Sequence, residues 1–249
     1  MMTVNILFPV LNEHKRLRGG VEKTVEYMRE YIRSRDDIGF VCTILDNGSD
    51  DDTPDIGRSL EREYPGVVRY VRIEQRGVGI AFRTGVEHNH EDIVGYMDID
   101  LSTDISTLGY SLELFQNDPA LEYINGTRFS KDSKTIGRKW YRKITSAGLV
   151  FILRTALNMK ATDGICGFTF MRDAVAKKLV AESGDDKGWF YMIELLLRAE
   201  RDKVNILDLP VTFTENYDTT VKIGKTIKNY LVNIRRLRRT FKNAQKDRP

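Results

Sequence analysis

Residues 93–104 read IVGYMDIDLSTD, a near-continuous apolar run followed by three aspartates within seven residues. Such a run, without polar alternation, is typical of a β-strand covered on both faces of a parallel sheet. The aspartates then stand directly beyond the carboxyl end of the predicted strand. Ligands bind at this edge of open parallel sheets, so one stretch predicts both the fold and a candidate site.

On either side of this stretch, further apolar runs alternate with helical patterns over the first 130 residues. This alternation predicts an α/β fold with a mainly parallel sheet flanked by helices. Strands are predicted at residues 4–8, 40–45, 67–73, 93–97 and 121–124. Helices are predicted at 20–32, 53–63, 78–86 and 106–115.

The second half is more helical. The pattern predicts a long helix at 136–158, a loop at 162–167, a strand at 168–171, and helices at 174–182 and 189–201. Residues 204–213 are predicted to form one strand, in which Pro210 indicates a sheet edge or a bulge.

The composition excludes several classes of protein. With 249 residues, 41% hydrophobic and 30% charged, the chain is neither collagen-like, disulfide-rich nor disordered. The net charge of +3 conceals an uneven distribution, because residues 222–249 hold ten basic residues and one acidic residue. That segment carries +9, which leaves −6 on residues 1–221.

Two cysteines, Cys42 and Cys166, indicate a reducing compartment. Neither a signal peptide nor a membrane-spanning segment is predicted. The expected location is therefore cytoplasmic.

Carboxylates follow three of the predicted strands. The pair Asp98-x-Asp100 offers the oxygen ligands that Mg²⁺ or Mn²⁺ prefers, although a solvated turn is the alternative interpretation. After strand 40–45, a turn and a helix start explain residues 47–54 but leave Asp46 unexplained. Gly77-x-Gly79 is not a dinucleotide fingerprint and no P-loop lysine motif is present, which argues against nicotinamide and nucleotide-hydrolase functions.

Seven motifs together resemble family 2 glycosyltransferases in order and spacing. They are FPVLNE, ILDNGSDDDT, GVGIAFRTG, MDIDLSTD, NGTRF, DGICGFTFMR and WFYMIELLLRA, and the resemblance covers about residues 3–215. Within the family the chain looks most like the dolichyl- or polyprenyl-phosphate sugar synthases, which make lipid-phosphate mannose or glucose. The resemblance implies a GT-A-type, Rossmann-like fold that uses a nucleotide-sugar donor and a divalent metal, Mg²⁺ or Mn²⁺.

The resemblance also implies roles for individual residues. Asp98 would contact the nucleotide, Asp100 would hold the metal, and both are catalytic and metal-binding candidates. Asp163 and Arg128 complete the catalytic candidates, with Asp163 in the acceptor-side loop and Arg128 near the phosphates. The substrate-binding candidates are Pro9, Asn12, Glu13, Asp46, Gly77, Gly79, Arg138, Arg142 and Glu194.

Three positions depart from the family pattern, of which Ile99, at the usually small position between Asp98 and Asp100, is neutral for the interpretation. Val78 stands where many members have lysine, and Ser102 stands where mannosyl-phosphate synthases usually have glutamine. The sequence DLST is closer to glucosyl-phosphate synthases and points faintly to glucose.

The leading hypothesis is an inverting glycosyltransferase that loads a sugar onto a polyprenyl phosphate at a membrane surface. An acceptor phosphate is already an anion, whereas a hydroxyl acceptor would need a general base, for which Asp163 is the best candidate. A soluble or polysaccharide hydroxyl acceptor is the first alternative. A non-catalytic nucleotide-sugar-binding subunit is the second.

Residues 218–249 are predicted to form a basic, amphipathic helical tail behind a catalytic domain at 1–217. Its apolar stripe comprises Ile223, Ile227, Tyr230, Leu231, Ile234, Leu237 and Phe241. Such a helix suits an anionic membrane interface, which predicts peripheral membrane association. Docking on the acidic body of the enzyme is the alternative. No nucleic-acid motif accompanies the basic residues, and self-association into a homo-oligomer is left open.

Overall fold

A computed structural model describes the backbone of residues 1–216 and 223–246, and side chains at 1–216 and 229–243. Seven strands form one sheet in the order β3-β2-β1-β4-β7-β5-β8. Their bounds are β1 Met2–Val10, β2 Ile38–Asp46, β3 Val68–Arg72, β4 Ile93–Met97, β5 Tyr123–Thr127, β7 Phe168–Arg172 and β8 Ile206–Pro210. Strands β6 (Lys134–Ile136) and β9 (Thr212–Thr214) pair with each other in a small second sheet.

Helices cover both faces of the large sheet, which gives two hydrophobic cores. One core lies beneath α1 (Leu17–Tyr31), α2 (Thr53–Glu63) and α4 (Ser106–Asn117). The other lies beneath α3 (Val78–Glu87), α5 (Trp140–Leu157), α6 (Asp173–Glu182), α7 (Phe190–Arg201) and α8 (Ile223–Lys246). Strands that are apolar throughout satisfy both cores at once, and the predicted α/β class is confirmed.

The second half of the sheet corrects two predictions and confirms a third. Residues 204–213 form two strands, because the chain leaves the large sheet after Pro210 and continues as β9 in the small one. Pro210 does lie on an edge strand, as predicted. The long helix begins at Trp140 and not at residue 136, since residues 134–136 pair as β6 with β9.

Strand β7 is antiparallel to both of its neighbours, β4 and β5, within a sheet whose other pairs are parallel. Its amino end therefore lies at the same edge as the carboxyl ends of the parallel strands. Residues that precede β7 are brought next to residues that follow β4.

Helix α8 packs beside α5 and α7. Ile234, Leu237 and Phe241 are buried in the core beneath it. Ile223 and Ile227 of the predicted stripe lie outside the described side chains, and the domain division at residue 217 stays a prediction. No helix within 1–216 and 223–246 combines the length and apolarity needed to cross a bilayer.

Candidate active site

A cleft of about 600 Å³ opens at the edge of the sheet where β1 and β4 end and β7 begins. Its floor carries the predicted acidic pair and its walls carry several cations. The polar lining includes Glu13, Arg16, Asn47, Arg76, Asp98, Asp100, Ser102, Arg128, Arg142 and Glu215. Pro9, Gly77, Gly167, Trp189, Met192, Phe213 and Tyr230 belong to its less polar part.

Asp98 follows β4 directly, and its backbone N–H donates to the carbonyl of Gly167 at 3.1 Å. The carboxylate lies so close to Gly167 that a Cβ there would stand 1.8 Å from Asp98 Oδ2. Burial, and then the neighbouring Asp100 carboxylate, raise the pKa of Asp98 to about 7. Asp98 is thus a carboxylate held in a site that penalises its charge.

Asp100 lies in a tight turn whose following residue, Leu101, has a left-handed φ of 52°. The backbone N–H of Ser102 donates to Asp100 Oδ1 at 3.0 Å. A guanidinium nitrogen of Arg16 stands 3.8 Å from Asp100 Oδ2. The same guanidinium donates two hydrogen bonds to the Glu13 carboxylate, at 2.7 and 3.0 Å. Burial raises the pKa of Glu13 despite this contact.

Arg128 and Asp163 form a buried ion pair behind the acidic pair. The guanidinium donates to both oxygens of Asp163 at 2.7 and 3.1 Å, and also to the carbonyl of Ile165. Asp163 further accepts the backbone N–H of Ile165 at 3.0 Å. Arg128 lines the cleft, whereas Asp163 is fully buried and is not part of the lining.

Arg142 and Arg138 approach the cleft from the start of α5. Arg142 lines the cleft and pairs with Glu215, which lies just beyond β9. Arg138 is 4% exposed, and its Nε stands 3.8 Å from Glu215 Oε2. Burial, together with repulsion from Arg128, lowers the pKa of Arg138. The cleft wall thus concentrates positive charge opposite the acidic floor.

Asp46 ends β2 and is fully buried. Its carboxylate accepts the Tyr70 hydroxyl at 2.7 Å, the Arg72 guanidinium at 2.8 Å and the Ser49 backbone N–H at 2.9 Å. Burial acts to raise the pKa of Asp46, but these hydrogen bonds outweigh it and hold the pKa below its usual value. Asn12 joins the end of β1 to the same loop by donating to Asp50 Oδ1 at 2.7 Å.

Gly77 and Gly79 serve close backbone packing at the start of α3. Gly77 has a φ of 149°, and a Cβ on it would stand 2.1 Å from the carbonyl oxygen of Lys187. A Cβ on Gly79 would stand 2.6 Å from the carbonyl oxygen of Asp186. Gly77 lines the cleft and Gly79 does not.

Glu194 lies in the interior of α7 with no exposed surface. It accepts from Arg198 at 2.8 Å and from Arg236 of α8. It therefore ties two helices together outside the cleft lining.

The structure brings seven of the predicted site residues together and leaves six outside the lining. The seven are Pro9, Glu13, Gly77, Asp98, Asp100, Arg128 and Arg142. The six are Asn12, Asp46, Gly79, Arg138, Asp163 and Glu194. Their proposed roles stay predictions.

Sequence reasoning missed Arg16, Trp189 and Glu215 as lining residues. Arg16 follows the end of β1 by only a few residues, and this position near a strand end was the one sequence signal that could have placed it in the cleft. Trp189 opens the motif WFYMIELLLRA, which was the signal that could have found it. Glu215 reaches the cleft through long-range packing that carries no local signal.

Within the described residues, no group of three or more His, Cys, Asp or Glu side chains converges as a ready-made metal cage. The donor set at the floor is two carboxylates, Asp98 and Asp100. Mg²⁺ characteristically takes one or two carboxylates and completes its shell with water and substrate phosphates. Burial, and then the Asp100 carboxylate, raise the pKa of Asp98, and a divalent cation at this floor would offset both effects by stabilising the two negative charges. The residues fit such an ion.

A mainly parallel sheet with an acidic pair and facing arginines at its ligand-binding edge defines an α/β protein of the GT-A type. The family model described as Glycosyl transferase family 2 matches residues 6–180, which is more than half of the chain. The chain belongs to this family, and the predicted resemblance is confirmed.

Curated relatives are similar at low identity. Glycosyltransferase AglD of Haloferax volcanii is 28% identical over 227 residues, which cover 90% of this chain and 35% of that protein. Dolichyl-phosphate beta-glucosyltransferase ALG5D of Trichomonas vaginalis is 25% identical over 230 residues, which cover 90% and 70% respectively. Dolichol-phosphate mannosyltransferase of Pyrococcus furiosus is 26% identical over 240 residues, which cover 95% of this chain and 64% of that protein. The chain spans only part of the length of each relative.

Solved structures share the fold. Glucosyl-3-phosphoglycerate synthase of Mycobacterium tuberculosis superposes with a TM-score of 0.66 at 15% identity, over 94% of this chain and 80% of that one. The same enzyme in complex with Mn²⁺ and UDP-glucose gives a TM-score of 0.63 at 16% identity, over 94% and 79%. At such identities the likeness concerns the fold alone.

Proposed function

We propose that this chain is an inverting glycosyltransferase that moves a sugar from a nucleotide-diphosphate sugar to a polyprenyl phosphate, of the dolichyl type, at a membrane surface. The observation that carries the proposal is the cleft itself, where two carboxylates at the end of β4 face Arg128 and Arg142. Family membership supports the reaction type, and the names of two relatives supply the acceptor class.

The donor binds with its diphosphate over the acidic floor. Asp98 and Asp100 would hold Mg²⁺ or Mn²⁺, as suggested by structures of the fold neighbour with Mn²⁺ and UDP-glucose and with Mg²⁺ and UDP. A bound divalent cation would stabilise the negative charge that develops on the departing nucleoside diphosphate. Pro9 and Glu13 line the cleft beside this floor, where the base and ribose side is proposed.

Arg128 and Arg142 bind phosphate oxygens of donor or acceptor, since each lines the cleft and each guanidinium has more N–H donors than its protein partners Asp163, Ile165 and Glu215 occupy. Asp163 holds the Arg128 guanidinium in orientation through two hydrogen bonds. Because both carboxylate oxygens of Asp163 are occupied, Asp163 is poorly placed to take a proton from a hydroxyl acceptor. An acceptor phosphate, already ionised, needs orientation more than a base, which favours the lipid phosphate.

An exposed apolar face on α5 supports the membrane surface as a partner. Trp140, Ile144 and Phe151 are 73%, 62% and 68% exposed, and they recur at helical spacing on the side turned away from the core. Helix α5 contains no acidic residue and carries Arg142, Lys143 and Arg154. Apolar and basic character together suit an anionic lipid interface, with the enzyme on its cytoplasmic side.

A soluble acceptor is the second candidate. The fold neighbour was solved with phosphoglyceric acid, a water-soluble acceptor class, which favours this candidate. A non-catalytic nucleotide-sugar-binding subunit is the candidate from another class.

Release of nucleoside diphosphate, measured with Mg²⁺ or Mn²⁺, separates these candidates. UDP-glucose, UDP-N-acetylglucosamine and GDP-mannose are each supplied with a polyprenyl phosphate, with phosphoglycerate, or with neither. Release that depends on the lipid phosphate supports the proposal. Release only with the soluble acceptor contradicts it, and donor binding without any release would indicate a binding subunit.

A further inference from the structure

The loop at residues 183–189 forms part of the cleft and is held from two sides. On the first side lies α3. The backbone N–H of Gly79 donates to the carbonyl of Lys187 at 2.9 Å. The Arg83 guanidinium donates to the carbonyl of Gly184 at 2.5 Å. The missing side chains of Gly77 and Gly79 allow this backbone to approach.

The second side is α8. The side-chain amide of Asn233, which is buried, donates to Asp186 Oδ2 at 2.7 Å. The other oxygen of Asp186 accepts the backbone N–H of Gly188 at 2.9 Å. Arg236 pairs with Glu194, which in turn accepts the backbone N–H of Gly184 at 2.9 Å. Arg236 Nε also donates to Asn233 Oδ1 at 3.1 Å, so the two α8 residues act on the loop together.

The inner surface of the held loop faces the cleft. Gly188 and Trp189 both line it, and the Trp189 ring stands 6.4 Å from the ring of Tyr96. Tyr230 of α8 lines the cleft as well and contacts Phe190 edge to face at 5.6 Å. The wall that carries Trp189 therefore depends on a helix outside the segment that the family model matches.

We propose that α8 shapes the cleft, with Asn233 and Arg236 as positioning residues that hold the 183–189 loop and Trp189 in place. Asn233 acts by aligning Asp186, whose second oxygen fixes the backbone at Gly188. Arg236 acts by binding Oε2 of Glu194, which orients the carboxylate so that Oε1 accepts the backbone N–H of Gly184 alongside Arg198. The consequence for sugar transfer rests on the proposed function, whereas the shape of the wall does not.

The test uses the full chain with Trp140→Phe, because the chain has two tryptophans and this change leaves Trp189 alone. Asn233→Asp sets two carboxylates against each other where the hydrogen bond of 2.7 Å now lies. The wall then opens, and acrylamide quenching of Trp189 rises. Trp189 is already 40% exposed, so the increase is at most about 2.5-fold.

Three controls separate positioning from general destabilisation. Asp186→Asn combined with Asn233→Asp exchanges donor and acceptor, and it restores parental quenching. Asn243→Asp makes the same chemical change at an exposed position of α8 and leaves quenching unchanged. In the reciprocal Trp189→Phe background, Asn233→Asp does not alter quenching of Trp140, which lies on α5.

Unchanged Trp189 quenching in a folded Asn233→Asp variant overturns the proposal, and so does failure of the exchanged pair to restore it. If Asn233→Asp does not fold, Asn233→Ala takes its place, and parental quenching in that variant overturns the proposal equally. Because quenching needs no substrate, this outcome is independent of whether the transfer assay succeeds.

Discussion

Gly167→Ala tests whether the position of the Asp98 carboxylate controls catalysis. An alanine Cβ would stand 1.8 Å from Asp98 Oδ2 and 2.3 Å from Asp98 Cγ. Real Cβ contacts stay beyond 3.0 Å, so Asp98 Oδ2 must withdraw by at least 1.2 Å, the difference between 3.0 Å and 1.8 Å. The atoms that move are the end of a side chain, so the fold persists.

A displacement of about 1 Å in a catalytic group costs on the order of 100-fold in rate, which corresponds to about 2.7 kcal/mol. We therefore expect kcat/KM for nucleoside diphosphate release to fall by roughly 100-fold. Thermal denaturation should show a native-like transition. Gly19→Ala is the matched control, because a Cβ at that exposed helical position meets nothing within 4 Å.

The effects of Gly167→Ala and Asp98→Ala on activity should be strongly non-additive. If Gly167 acts only through Asp98, then adding Gly167→Ala to Asp98→Ala costs no further activity. Near-parental turnover of the Gly167→Ala variant would refute the assignment of Asp98. A double variant markedly less active than Asp98→Ala alone would show that Gly167 has another role.

Other substitutions test the remaining parts of the structure. Asp98→Ala and Asp100→Ala should each leave only a small residual rate of transfer without unfolding the chain, and near-parental turnover of both would refute the metal site. The pKa of Asp98 is raised from 3.8 to about 7, so the folded state binds more protons than the unfolded one between these values. Stability without metal should fall as the pH rises through that range, and melts at about pH 5 and about pH 8 should differ less for Asp98→Asn. Phe241→Ala removes a buried ring whose centroid lies 4.1 Å from the Arg201 guanidinium carbon. The substitution should lower the free energy of unfolding by about 3–5 kcal/mol, seen as a Tm lower by about 10 °C. An unchanged Tm would show that packing of α8 adds little to the stability of the fold. A variant in which Trp140, Ile144 and Phe151 are all replaced by serine should bind anionic liposomes at least about tenfold more weakly in a flotation assay. Tyr110→Ser, at an exposed position on α4, is the control and should not weaken binding. Equal binding by the triple variant and the parent would remove the proposed membrane surface.

The parts of the fold set by local pattern could be predicted from the sequence. The bounds of β4 at Ile93–Met97 and of α2 at Thr53–Glu63 agree with the predicted ranges, because an apolar run and a proline at the helix start are local signals. The direction of β7 could not be predicted in this way. The residue pattern of a fully apolar strand is the same whether the strand runs parallel or antiparallel to its neighbours, and the partners of β7 lie far away in sequence.

The same limit applies to the candidate site. Asp98 and Asp100 could be found because they directly follow a buried strand. The carboxylates of Asp46 and Asp163 looked equivalent in sequence, yet each is engaged by an arginine and withdrawn from the cleft. Whether a charged side chain faces a ligand or a counter-ion depends on neighbours that only the tertiary structure supplies.

The antiparallel insertion of β7 has a consequence for synthesis on the ribosome. Asp98 obtains its final surroundings only when Gly167 arrives beside it, and β7 obtains both neighbours only with β4 and β5 already in place. A nascent chain that has exposed only its first half can pair β1, β2, β3 and β4, but it leaves the end of β4 without that contact. We therefore expect donor binding to appear late and abruptly during translation, after residue 172 has left the exit tunnel.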